Sequence, residues 1–237
     1  MNEPSAYEQL ASEYYAQGCN RTCQAFRQGS EVIVRELVNI SEYTSVVEVG
    51  AGRSFAAPLM EEAGKPLSDL LISDISSGML EWSQEWSNKG AKLTVCPADT
   101  LPLRKRSVSL IISLLGDPYN TPSFWEEVNR VLIPGGHILF TVPAYEWTQA
   151  FREGNEAVFT MKDESQVAVP STVLDFEAQC KLVGNAGLTL RQQRNFTKGE
   201  LENNLSQKFA QLSDDDPIVN GYLFRKPSRV ISLWTRR

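Results

Sequence analysis

Val46-Val47-Glu48-Val49-Gly50-Ala51-Gly52-Arg53-Ser54 runs from a short apolar strand through an acid into a two-glycine turn and then into a helix-like stretch. Glycines let the backbone turn tightly and approach a ligand with no Cβ in the way. Amides at the start of the following helix would face that ligand. The spacing reads as a cofactor cradle. A dinucleotide fingerprint, G-x-G-x-x-G/A, would put a small residue at position 55. Phe55 stands there, which argues against NAD or FAD.

Three further segments follow at the intervals a doubly wound α/β domain requires. Leu70-Leu71-Ile72-Ser73-Asp74 is a second apolar run ending in a carboxylate, 24 residues after Gly50. An acid at about that distance is where a ribose diol would be held. Ala91 to Cys96 alternates like a strand and leads into Pro97-Ala98-Asp99, and Val108 to Leu115 is the next apolar run. Thr121 caps a predicted helix with Pro122 at its first position and an apolar face of Phe124, Val128, Val131 and Leu132. Pro134-Gly135-Gly136 breaks that helix, and His137 to Val142 reads as a strand ended by Pro143.

Together these segments, about residues 40 to 145, resemble the class I S-adenosylmethionine-dependent methyltransferases. The resemblance implies a doubly wound, seven-stranded, mostly parallel sheet whose last strand is antiparallel. It implies S-adenosylmethionine as cofactor, with Glu48, Gly50, Ala51 and Gly52 cradling its methionine part and Asp74 binding its ribose. Ala98 and Asp99 would meet adenine, Ile75 would pack on that ring, and Leu114 to Gly116 would line the methionine and acceptor side. Ser54 stands where the family often has a third glycine, and its hydroxyl could donate to the cofactor carboxylate.

Residues 5 to 40 read as helices ahead of the sheet, with Ser5-Ala6-Tyr7-Glu8 in the form of a capping box. In the resembled family such helices form part of a lid over the cofactor, which would bring Tyr14 or Tyr15 to cofactor or acceptor. Residues 144 to 170 show no clear period and read as an irregular lid or binding loop. Val173 to Ala186 returns to helical spacing, Leu188 to Phe196 reads as the sixth strand, Glu200 to Leu212 as a surface helix, and Arg229 to Thr235 as the last strand. The whole is read as a single domain, with 1–40 a helical lid, 41–143 the cofactor core and 144–237 the acceptor-side insertion and remaining sheet.

Methyl transfer from a sulfonium is a displacement that needs alignment more than a side-chain nucleophile. Asp117 is the candidate base, with Tyr119 beside it, and Tyr145, Glu146 and Trp147 after the fifth strand are candidates for acceptor contact. Gly116-Asp117-Pro118-Tyr119-Asn120 invites comparison with the Asp-Pro-Pro-Tyr signature of adenine-directed methyltransferases, but one proline is missing. His137, the one histidine, lies at the N-terminal end of its strand, away from the carboxyl ends where such sheets bind ligands. It reads as structural.

The chain has 237 residues, 42% of them hydrophobic, and a formal net charge of −6. That balance offers no general attraction for phosphate backbones and disfavours nucleic acid as partner. Cys19, Cys23, Cys96 and Cys180 lack metal-ligand spacing, so no metal is expected. With no apolar stretch long enough to span a bilayer and no cationic leader, a reduced, cytoplasmic protein without membrane attachment is expected. A small-molecule acceptor is the leading expectation. Nucleic-acid or protein methylation and a non-catalytic cofactor-binding protein remain as alternatives, and a homodimer stays open.

Overall fold

Val46–Val49 forms β1 and Leu70–Asp74 forms β2, parallel to it with Val46 opposite Leu70. The computed structural model describes residues 5–16, 20–151, 154–202 and 206–228. β3 (Lys92–Val95), β4 (Val108–Ser113) and β5 (Leu132–Pro143) extend the parallel sheet. β6 (Glu156–Thr160) and β7 (Gln166–Pro170) make a separate antiparallel hairpin, and β8 (Thr189–Thr197) and β9 (Pro217–Arg225) complete the main sheet. Its order is β3-β2-β1-β4-β5-β9-β8. Only β9 runs against its neighbours, as the family resemblance implied.

Eight helices flank these strands among the described residues: α1 (Ala6–Leu10), α2 (Arg21–Leu37), α3 (Ala56–Glu62), α4 (Ser77–Glu81), α5 (Gln84–Asn88), α6 (Pro122–Val131), α7 (Tyr145–Phe151) and α8 (Phe176–Asn185). β1 and β4 are buried along their whole length, which is why both read as continuous apolar runs. Successive β4 residues serve opposite faces, as the two-residue period demands. Leu110 and Ile112 join Phe26 and Ile33 of α2 and Met60 of α3, while Ile111 joins Phe124, Trp125 and Val128 of α6. Trp125 meets Phe140 edge-on at 4.9 Å and Phe224 at 5.5 Å.

Several expectations are corrected. The described residues of 144–170 form α7 and the β6–β7 hairpin, whose short alternating strands (burial alternates along β7) are hidden in the sequence by charged neighbours. Among the described residues of 200–212 no α-helix forms: there are two 3-10 turns, 198–200 and 207–209, the first closed by a Thr197–Glu200 capping box. β5 begins at Leu132, ahead of the Pro-Gly-Gly, because Gly135 at φ +87° lets the strand continue. α8 starts at Phe176, capped by the Asp175 side chain. Residues 229–235, Arg152 and Cys19 lie outside the described residues, and the final described strand is β9.

Candidate functional site

A cavity of about 830 Å³ opens at the carboxyl ends of β1 and β4, where the strand order reverses. Open α/β sheets bind ligands at that point. Glu48, Asp74 and Asp99, from three successive strand ends, share its wall with Gly50, Ala51, Ile75, Ala98 and Leu114. Tyr15 and Tyr119 reach the same wall. Gly52, Ser54, Asp117, Tyr145 and Trp147 do not.

The glycine turn is held from below. Gly50 and Gly52 adopt φ of +63° and +48°, the left-handed region that favours glycine. Ala51 N–H donates to Ser73 O at 3.0 Å, and Ser83 Oγ donates to Gly52 O at 2.6 Å. Gly52 N–H donates to Asp74 Oδ2 at 2.9 Å, and Ser76 N–H to Asp74 Oδ1 at 3.0 Å. Each Asp74 oxygen thus takes one amide and keeps accepting capacity toward the cavity, the donor-hungry arrangement a vicinal diol would satisfy. Burial raises the Asp74 pKa, and the two amides work against that rise.

Glu48 is turned to the start of α3. Its carboxylate accepts from Phe55 N at 2.9 Å, Ala56 N at 3.2 Å and the Ser54 hydroxyl. Burial raises its pKa, while these donors and the helix N-terminus favour its charge. Ser54 therefore spends its proton on Glu48 and accepts from Ala57 N at 3.1 Å; the expected donation to a cofactor carboxylate is not made from this position.

Tyr119 Oη donates to Val49 O at 2.8 Å and lies 3.0 Å from Ser113 Oγ. Burial pushes its pKa well up, which favours the neutral phenol. Leu115, at φ +54°, carries the chain over the cavity rim, with Thr141 Oγ1 accepting from its amide at 2.9 Å. Such backbone strain in a non-glycine residue commonly marks functional sites.

Asp117, read from sequence as the base, is buried at 6% exposure and accepts from the Ser171 hydroxyl. Thr172 N–H donates to Asp117 O at 2.8 Å. Asn120 Nδ2 donates to Thr172 O at 3.1 Å and Gln179 Oε1 at 2.8 Å, while Asn120 Oδ1 accepts from Trp125 Nε1 at 2.8 Å. The Asp117–Asn120 turn is therefore a polar tie between the sheet and the hairpin's exit. Asp117→Asn should lower stability by about 1 kcal/mol in urea unfolding yet leave cofactor affinity within twofold. A large affinity loss without destabilisation would return Asp117 to the site. Trp147 is likewise core, edge-on to Phe26 at 4.7 Å and stacked on Phe151 at 5.1 Å, and Tyr145 is half-buried beside it on α7.

Sequence reasoning missed one wall. Gln24, Arg27, Gln28 and Glu31 of α2 line the cavity at i, i+3, i+4 and i+7. That spacing is a helix face, but polar residues opposite an apolar stripe ordinarily face solvent. Arg27 Nε pairs with Glu31 at 3.0 Å and its Nη2 donates to Arg53 O at 2.5 Å. Arg53 N–H donates to Tyr15 Oη at 3.0 Å, tying the segment after α1 to the glycine turn.

α1 and the hairpin meet above the opening, with Leu10 packed against Val167 and Val169. Lys162 N–H donates to Glu13 Oε2 at 2.9 Å and Trp82 Nε1 to Ala11 O at 2.9 Å. Only half of the capping box forms. Ser5 Oγ accepts from Glu8 N at 3.2 Å, but the Glu8 carboxylate accepts from Ser76 Oγ at 2.6 Å, Ser77 Oγ at 3.2 Å and Gly78 N at 3.2 Å, at the start of α4. The Ser76 hydroxyl, with the Gly78 amide, lowers the Glu8 pKa. Its stabilisation is present above the ordinary glutamate range and is lost as pH falls through the lowered value. Glu8→Gln should therefore have a lower Tm at neutral pH, by a stability on the order of 0.5 kcal/mol given its solvent access. That gap should close in acid; a gap unchanged from pH 7 to pH 3 would contradict the assignment.

His137 Nδ1 lies 3.3 Å from Tyr43 Oη, at the end of the sheet away from the cavity. Burial lowers its pKa. Among the described residues no group of three or more His, Cys, Asp or Glu is placed to hold a metal, and no helix is long and apolar enough to cross a membrane.

Residues 47–140 match the family model described as Methyltransferase domain. The biotin biosynthesis bifunctional protein BioHC of Cellvibrio japonicus is 28% identical over 95 residues, 39% of this chain and 18% of that protein's length. The S-adenosylmethionine-dependent methyltransferase of Mesorhizobium loti superposes with a TM-score of 0.61 at 16% identity, over 84% of this chain and 99% of that one. The Burkholderia thailandensis 1,6-didemethyltoxoflavin-N1-methyltransferase, solved with 1,6-didemethyltoxoflavin and S-adenosylhomocysteine, superposes with a TM-score of 0.54 at 13% identity, over 94% of this chain and 85% of that one. At these identities the structural likeness speaks for the fold.

Proposed function

We propose that this chain is a class I S-adenosylmethionine-dependent methyltransferase, as its match to the methyltransferase-domain model supports, and that it transfers the methyl group to a small molecule enclosed beneath α1 and the β6–β7 hairpin. The carrying observation is the roof. Tyr7, Tyr14 and Pro170 close the cavity from above, and the chain segments that bear them pack on each other. A duplex or a folded protein surface would have to part them. The toxoflavin-precursor methyltransferase gives one instance of this fold acting on a small molecule.

The residues present fit the cofactor. Asp74, with one amide on each oxygen, would take the ribose hydroxyls; Ile75, exposed at 50%, and Ala98 and Asp99 would flank adenine; Gly50, Ala51 and the Glu48-capped turn would bear the methionine part. When bound, S-adenosylmethionine supplies an electrophilic methyl carbon and a neutral thioether leaving group. The chain's own contribution is to align the acceptor. With Asp117 tied to Ser171 and Glu31 paired with Arg27, the acceptor proton passes to solvent. The turn that suggested adenine as target is engaged in that same tie to the hairpin.

Purified protein given methyl-labelled cofactor should transfer label to a small-metabolite extract. Transfer confined to nucleic acid or protein pools would overturn the reading, and cofactor binding with no transfer to any pool would favour a non-catalytic role.

A further inference from the structure

The cavity divides by chemistry. Its acidic and basic side chains other than Arg27 and Glu31 cluster where the cofactor would lie. Asp74 and Glu48 are held by backbone amides, Asp99 lies beside Ser123 at 3.1 Å, and Arg53 sits on the glycine turn. α2 crosses both parts. Its Arg35 pairs with Glu62 of α3 at 2.7 Å, while Thr22 near its other end meets Ser206 at 2.8 Å. Glu31, paired with Arg27, therefore lies toward α3, and Cys23 and Gln24 lie away from it. Away from those acids the wall includes Tyr7, Tyr14, Gln24, Gln28, Pro118 and Pro170, none of them an acid or a cation, with Arg27 beside them 5.3 Å over the Tyr15 ring and already paired with Glu31.

The tyrosines form a connected surface. Tyr7 and Tyr14 centroids are 6.2 Å apart at 60°, and Tyr14 and Tyr15 are 4.9 Å apart, edge to face. Tyr14 is backed by Phe159 of the hairpin at 5.7 Å. Burial raises the pKa values of Tyr7 and Tyr14, so these rings stay neutral. Aromatic walls favour ring stacking, with polar tips left to hydrogen-bond. A phosphate or carboxylate moved against these rings would lose its water, and the neighbouring cation, Arg27, is already engaged by Glu31 and by Arg53 O, so the transfer is costly.

Building on the methyltransferase reading above, we infer that the acceptor is an uncharged, planar aromatic compound carrying a hydroxyl or ring nitrogen, and that anionic acceptors are rejected. The ring lies against Tyr7 and Tyr14, and its polar group is read by the α2 amides.

The test uses protein first saturated with S-adenosylhomocysteine, then titrated with 2-naphthol, 2-naphthyl phosphate or the saturated alcohol decahydro-2-naphthol. Naphthol should bind at least tenfold tighter than either other probe. In Tyr7→Leu the naphthol affinity should fall at least fivefold and be restored in Tyr7→Phe, with S-adenosylhomocysteine affinity steady. Equal or tighter binding of the phosphate, equal binding of the saturated alcohol, or no naphthol binding overturns the inference while leaving the methyltransferase reading standing. Failure to bind S-adenosylhomocysteine in the first step removes both. If Tyr7→Leu does not fold, the three probes on the unaltered protein decide alone.

Discussion

Gly52→Val is expected to reduce S-adenosylhomocysteine affinity by about a hundredfold or more in calorimetry, while circular dichroism still reports a folded protein. Two effects combine. A β-branched residue at φ +48° is a backbone outlier. Its Cβ would also overlap Tyr15 Oη and come within 2.9 Å of the Met79 methyl. The turn must move, and the Gly52 N–H to Asp74 bond moves with it. The surface expected to carry the methionine part and the carboxylate expected to carry the ribose are thereby lost together. A folded variant with unchanged affinity would place the cofactor elsewhere.

Asp74→Ala is expected to cost about 1.5–3 kcal/mol of cofactor binding, roughly 10- to 150-fold, because it deletes charge-assisted bonds to the diol. It also strips the shared acceptor from the Gly52 and Ser76 amides, so the turn loosens in the same variant. A cofactor analogue lacking both ribose hydroxyls separates the two contributions. The unaltered protein should discriminate strongly against it, and the variant should not. If the unaltered protein binds the analogue as tightly as S-adenosylhomocysteine, Asp74 does not hold the ribose.

The parallel sheet was legible because its signals are local. β1, β2 and β4 are short apolar runs with both faces covered, and the expected bounds of β2, residues 70 to 74, are those observed. Glu48, Asp74 and Asp99 were legible for the same reason, since each sits at a strand end and the topology gathers strand ends. Side-chain direction was not legible. Asp117 follows the correct strand, yet its carboxylate turns to Ser171, 54 residues away, a partner no local pattern announces. Trp147 follows β5 as expected, but its ring is drawn into the Phe26 cluster because burying a large aromatic outweighs presenting it to a ligand. The α2 wall was hidden because a polar helical stripe looks alike whether it faces water or a cavity. The hairpin was hidden because its exposed residues, such as Glu156 and Gln166, dilute the alternation of short strands.

The contact of Leu10 with Val167 and Val169 joins stretches more than 150 residues apart. Bringing such distant stretches together carries a loop-closure penalty that local pairing does not. The ceiling of the chamber is thus bound to assemble after the strands and to open before they separate. Mild denaturant would then erase selectivity between ring compounds while the far-ultraviolet signal of the sheet persists, making ligand discrimination the most fragile property of this chain.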